Sequence, residues 1–168
     1  MRKRGGPLRI SFRKITDELH VLEVTRGDGR TESLECESRS YFLHDLLHYA
    51  VESEARLRGG FWGNLAAGKT LAQMNDRTGA GMADVAGEMG AIERVVGALH
   101  QTTKGRSSRD IVAAVSRFYE SIGEQAPAWL TEALVDAVRE RMRRMQGAWR
   151  ATPRGGRLEL SFPPDDAG

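Results

Sequence analysis

Two short segments with the same alternating pattern lie near opposite ends of this 168-residue chain. Residues Leu8–Phe12 read Leu-Arg-Ile-Ser-Phe, and residues Leu158–Phe162 read Leu-Glu-Leu-Ser-Phe. Apolar residues at every second position are typical of a strand with one buried face. We expect both segments to join one sheet, so the chain between them must leave this sheet and return to it.

The intervening sequence predicts strands first and helices afterwards. Strands are expected at residues 19–25 and 31–36, on either side of an Asp28-Gly29 turn that is typical of hairpins. Apolar spacings of three and four then indicate helices. The predicted helices cover residues 40–58, 65–74 and 82–103, a segment after Ser107, and a segment from Pro127 through Trp149. The sequence thus predicts an α+β fold in which an N-terminal antiparallel meander, joined by a C-terminal strand, packs against about four or five helices.

The first predicted helix carries two histidines and a glutamate on one stripe. At about 100° per residue, His44, His48 and Glu52 fall within one quadrant of the helix. A separate apolar stripe can dock the helix on a core without them. This stripe consists of Phe42, Leu43, Leu46, Leu47 and Ala50. Histidines at i and i+4 can bind one ion, so the helix predicts a divalent metal site formed by His44, His48 and Glu52.

The segment His44-Asp45-Leu46-Leu47-His48 resembles the His-Glu-x-x-His motif of zinc metalloproteases. The resemblance implies zinc as the metal and Asp45 as the catalytic base that activates a metal-bound water. Asp45 is one methylene shorter than the glutamate of that motif, and Glu52 is not where the common classes of these enzymes place their third ligand. The resemblance is therefore local, and it leaves the reaction open.

Further ligands are expected from the long helix predicted at residues 82–103. Glu93 and His100 flank its apolar stripe on one side, and Asp84 and Glu88 flank it on the other. The sequence does not choose among them. His100 is the preferred additional ligand because imidazole is the commonest protein ligand for zinc.

The wider segment from Tyr41 to Glu52, followed by Gly60-Phe61-Trp62-Gly63, resembles small uncharacterised bacterial proteins with a His-Asp-Leu-x-His-Tyr-x-Val-Glu stretch. The likeness is confined to the region of this helix. It implies that the segment acts as a unit, and it implies no activity.

Composition limits the class of protein. With 40% hydrophobic and 29% charged residues, the chain is typical of one globular domain spanning residues 1–168, with residues 1–6 and 163–168 predicted to be disordered. No apolar run approaches the ~20 residues that cross a bilayer. The single cysteine, Cys36, cannot form an internal disulfide, and no apolar signal segment follows the basic N-terminus, so we expect a cytoplasmic protein.

Two functional hypotheses follow from these patterns. In the first, the chain binds a divalent metal, most simply zinc, and uses it as a metal-dependent hydrolase or as a structural site. In the second, it is a metal-free interaction module whose arginine-rich ends recognise an acidic protein or a nucleic acid. Seven arginines lie between Arg139 and Arg157, but the net charge is only +2, which makes nucleic acid the weaker expectation.

Overall fold

The fold was obtained as a computed structural model, which describes residues 6–75, 87–102 and 105–165. Its four strands form one antiparallel sheet: β1 (Leu8–Lys14), β2 (Leu19–Thr25), β3 (Thr31–Glu37) and β4 (Arg157–Phe162). The strand order is β3-β2-β1-β4, so the two segments with matching patterns are neighbours. Ile10 lies opposite Val24 of β2 and Leu160 of β4. The predicted meander and its pairing with the C-terminal strand are confirmed.

Six helices are described between β3 and β4. They are α1 (Ser38–Glu54), α2 (Phe61–Ala66), α3 (Leu71–Asn75), α4 (Glu88–Thr102), α5 (Ser108–Ser121) and α6 (Glu132–Ala151). The alternate residues of β1 that face the helices, Leu8, Ile10 and Phe12, are at most 2% exposed and share one core with the helices. The predicted α+β class is confirmed. None of the helices in the described ranges is long and apolar enough to cross a membrane.

Helix α1 starts and ends earlier than predicted. It follows β3 directly, with Glu37 at the N-cap, whereas the sequence predicted a start at residue 40. At its other end Arg56 adopts a φ of 54°, the Arg56 amide donates to the Ser53 carbonyl, and the Leu57 amide donates to the Glu52 carbonyl. This pattern is a Schellman motif, which ends the helix before Gly59 and Gly60 are reached.

Helix α1 is buried on more faces than its apolar stripe predicted. The residues of that stripe are buried as expected, except that Leu43 is only partly buried. His48 is 1% exposed and Glu52 is 0% exposed, although both lie outside the stripe. The reason is that α1 packs against α2, α4 and α6 as well as against the sheet. The histidine stripe therefore faces other helices.

The later helices differ from the predictions in detail. Ser107 caps α5 as expected, because its Oγ accepts a hydrogen bond from the Asp110 amide. Helix α5 packs against α4 and α6; it buries Tyr119 and leaves Phe118 51% exposed. Helix α6 begins after Thr131, whose side chain caps it, and not at Pro127. The predicted start of α4 at residues 82–86, and most of the two ends predicted to be disordered, lie outside the described residues.

Candidate metal centre

Helices α1 and α4 bring two histidines and one glutamate together. His44 and His48 lie on successive turns of α1, and Glu93 faces them from α4. One potential ligand atom of each residue lies within 4.8 Å of those of the other two. Within the described ranges, this is the group of His, Cys, Asp and Glu side chains that could hold a metal ion.

Both imidazole rings direct Nε2 toward Glu93, although their planes are inclined to each other by 64°. His48 Nε2 is 3.2 Å from Glu93 Oε1, and His44 Nε2 is 3.8 Å from Glu93 Oε2. The opposite ring nitrogens face other carboxylates: His48 Nδ1 is 3.1 Å from Glu52, and His44 Nδ1 is 3.7 Å from Asp45. Each ring therefore presents Nε2 to the shared carboxylate and Nδ1 to a separate acid.

The spacing and exposure of this cluster suit a metal ion with an open position. Ligands of a tetrahedral zinc ion at about 2.0–2.1 Å are separated by about 3.3 Å, which is close to the distance between His48 and Glu93. The side chains of His44 and Glu93 are 30% and 39% exposed, whereas that of His48 is 1% exposed. His48 thus forms the inner wall of the cluster, and His44 and Glu93 form its solvent side.

Glu52, which the sequence predicted as a ligand, has other partners in the structure. Its Oε1 accepts hydrogen bonds from the amides of Trp62 and Gly63, at 3.0 and 3.1 Å. Its Oε2 accepts one from the Phe61 amide at 3.0 Å and lies 3.1 Å from His48 Nδ1. The carboxylate is therefore bound to the start of α2 and to the back of His48, and it is not a member of the ligand group.

Asp45, predicted as the catalytic base, lies behind His44. Its Oδ1 is near His44 Nδ1, on the opposite side of the ring from the nitrogen that faces Glu93. The Asp45 backbone carbonyl accepts a hydrogen bond from Trp62 Nε1 at 3.1 Å. At 3.7 Å the carboxylate makes no hydrogen bond to His44 Nδ1, and it lies on the opposite side of the imidazole from Nε2.

The candidates from the long helix are separated by the structure. Glu93 joins the two histidines, whereas His100 is exposed and lies two turns further along α4, about 10 Å away along the helix axis. Glu88 Oε1 accepts hydrogen bonds from the amides of Gly59 and Arg58, so it holds the loop after α1. Asp84 lies outside the described residues. The sequence had named Glu93 without preferring it.

The three residues of the cluster shift one another's pKa. Burial lowers the pKa of His48, but its contacts with Glu52 and Glu93 outweigh burial and raise this pKa to about 9. Contacts with Asp45 and Glu93 raise the pKa of His44 against the effects of burial and of His48. Burial raises the pKa of Glu93, but the two histidines outweigh it and hold this pKa well below its usual range. Without a metal, the cluster is a set of imidazolium–carboxylate pairs.

Because the metal-free cluster consists of imidazolium–carboxylate pairs, the stability of the metal-free protein should depend on pH. The pKa of His48 is raised from 6.5 to about 9 by folding, so its pairing contributes fully below pH 6.5 and is lost as the pH rises through 9. We expect the free energy of unfolding to fall between pH 6.5 and pH 9. Urea unfolding in the presence of a chelator measures this fall. The fall should be smaller in His48→Gln than in the wild type, and equal falls would contradict the prediction.

The arginines of the C-terminal part have partners within the chain. Arg139 donates to the Arg106 carbonyl and to Ser108, Arg141 pairs with Glu54 at 2.7 Å, and Arg154 pairs with Asp17 at 3.2 Å. Lys14 of β1 also has partners, because its Nζ donates to two carbonyls at the end of α6. Recognition of an acidic partner through these ends stays a prediction.

Comparisons with protein-family models, with curated proteins and with solved structures find no match to this chain.

Proposed function

We propose that this protein binds one divalent metal ion, most simply zinc, through His44 Nε2, His48 Nε2 and a carboxylate oxygen of Glu93. The observation that carries the proposal is the shared orientation of the two imidazoles, which direct the same nitrogen toward one carboxylate from another helix. This arrangement brings two neutral-imidazole donor atoms and one carboxylate oxygen together, which are ligand types that zinc accepts.

The donor set supports zinc and an open coordination position. Two histidines and one glutamate are the protein ligands of several catalytic zinc sites, in which a water molecule completes the tetrahedron. Structural zinc sites are instead closed by four protein ligands. The described residues provide three ligands, and two of them lie on the solvent side. Three protein ligands with an accessible side favour a catalytic site over a structural one.

The chemistry that such a site supports is hydrolysis. A zinc ion lowers the pKa of a bound water to about 7 and polarises an oxygen of the substrate. In this chain His48 would hold the ion from the buried side, and His44 and Glu93 would leave its outer side accessible. Asp45 and Glu52, behind the imidazoles, would increase the basicity of the ligands, as outer carboxylates do at zinc sites. We therefore propose a metal-dependent hydrolase, with the ion as its principal catalytic group.

Zinc binding at equilibrium tests the proposal. The purified protein, stripped with a chelator and dialysed against zinc, should retain one ion per chain, and the double variant His44→Ala, His48→Ala should retain none. His100→Ala is the matched control, because this histidine lies outside the cluster, and it should bind like the wild type. A wild type without bound zinc, or a double variant that retains it, would overturn the proposal.

A further inference from the structure

Glu52 is a fully buried carboxylate whose position depends on a second helix. It lies on α1, four residues after His48, but three of its hydrogen bonds come from the first three amides of α2. Gly60 packs against the carboxylate so closely that a Cβ at this position would lie within 3.0 Å of all three carboxylate atoms. The side chain is therefore fixed by backbone on one side and by His48 on the other.

The hydrogen bonds define what the carboxylate offers to His48. Backbone amides donate to both of its oxygens, so it is an acceptor on each of them. An acceptor 3.1 Å from Nδ1 favours a proton on Nδ1. In the neutral imidazole, Nε2 then has the free lone pair. Among the described residues, the buried His48 Nε2 has no hydrogen-bond partner, although Glu93 lies 3.2 Å away.

We propose that Glu52 is a positioning residue of the metal centre: it holds His48 in the Nδ1–H tautomer and thereby presents Nε2 as the ligating atom. This inference rests on the proposed function in so far as it concerns the metal. Outer carboxylates at zinc sites fix the tautomer and the ring orientation in the same way. The anchor at α2 adds rigidity, because the start of that helix fixes the carboxylate and the carboxylate fixes the ring.

The variant Glu52→Gln separates this role from simple filling of space. Glutamine has nearly the same shape but only one acceptor oxygen. The amides of Trp62 and Gly63 converge on the position of Oε1, so the glutamine oxygen is expected there, and its NH₂ group then faces His48. An NH₂ donor favours Nδ1 as the acceptor, which moves the proton to Nε2 and blocks the lone pair that a metal needs.

The tautomer can be measured without any metal. Proton–nitrogen correlation spectra of ¹⁵N-histidine protein, taken in chelator at a pH at which the spectrum shows His48 to be neutral, distinguish the two neutral forms. The wild type should show His48 with Nδ1 protonated, and Glu52→Gln should show Nε2 protonated. Zinc affinity at neutral pH should fall about 10- to 100-fold in Glu52→Gln. Glu54→Gln is the matched control, because Glu54 lies on the same helix as Glu52 but pairs with Arg141 of α6, and it should change neither readout.

The possible outcomes are distinct. A wild-type His48 protonated at Nε2 would overturn the inference, and so would a Glu52→Gln variant that keeps both the wild-type tautomer and the wild-type zinc affinity. If Glu52→Gln does not fold, the spectrum of the wild type still tests the inference, because it shows which nitrogen of His48 carries the proton. Failure of the proposed function is a separate result, because it appears as a lack of zinc binding in the wild type whichever tautomer is found.

Discussion

Gly60→Ala is expected to lower the free energy of unfolding by about 3 kcal/mol or more, a large effect for adding one methyl group. The cause is steric. Gly60 has a φ of −93°, which an alanine adopts without strain, but the added Cβ would overlap the Glu52 carboxylate. Moving this carboxylate breaks its hydrogen bonds to three amides and to His48 and leaves a charge buried without them.

Gly59→Ala provides the control for this prediction. It makes the same change one residue earlier, where the nearest atom is Oε1 of Glu88, an exposed side chain that can turn into solvent with the loss of its two hydrogen bonds to the Arg58 and Gly59 amides. We expect this variant to lose less than about 1 kcal/mol. Urea unfolding of both variants, followed by tryptophan fluorescence, measures the difference. Equal losses in the two variants would show that the carboxylate does not pack against Gly60 as described.

Zinc is expected to stabilise the folded protein. At a free concentration about 100 times the dissociation constant, an ion that binds only the folded state adds about 2.7 kcal/mol to the free energy of unfolding. The ligands come from α1 and α4, which unfolding separates, so the unfolded chain has at most the His44–His48 pair on one segment. Glu93→Gln should remove most of the gain, because it deletes the only ligand of the group from α4.

The difference in stability with and without zinc is the quantity to compare. Glu93→Gln also breaks the ion pairs of the metal-free cluster, and this loss cancels when each variant is measured in both conditions. His100→Ala, on the same helix, should keep the full gain. A gain in Glu93→Gln equal to that of the wild type would show that zinc binds elsewhere.

The sheet could be predicted from the sequence because its signals are local. The alternation in residues 8–12 and 158–162 and the Asp28-Gly29 turn specify strands and a hairpin through short-range chemistry. Helix ends were less predictable. Helix α1 ends just before Arg56, a residue type that rarely takes a positive φ, whereas the sequence predicted a helix up to residue 58, just before Gly59.

The candidate site could be predicted only in part. The pairing of His44 and His48 follows from helix periodicity, which needs no tertiary information. Glu93 was one of four acidic or histidine candidates on the long helix predicted at residues 82–103, and the choice among them depends on how α4 packs against α1, which no local pattern encodes. Glu52 has the spacing of a ligand on α1, but in the structure its carboxylate links the first amides of α2 to His48 Nδ1. The signal that could have shown this role was Gly60, since a glycine just before a helix permits the close approach of another group.

The most direct test of the central claim is a crystal structure of the zinc-loaded protein with anomalous data collected at the zinc edge. We predict one strong peak about 2.1 Å from His44 Nε2, from His48 Nε2 and from an oxygen of Glu93. We also predict that Glu52 keeps its hydrogen bonds from the Phe61, Trp62 and Gly63 amides and does not contact the ion. A zinc-loaded protein with no peak between α1 and α4, or with Glu52 in place of Glu93 as the ligand, would contradict it.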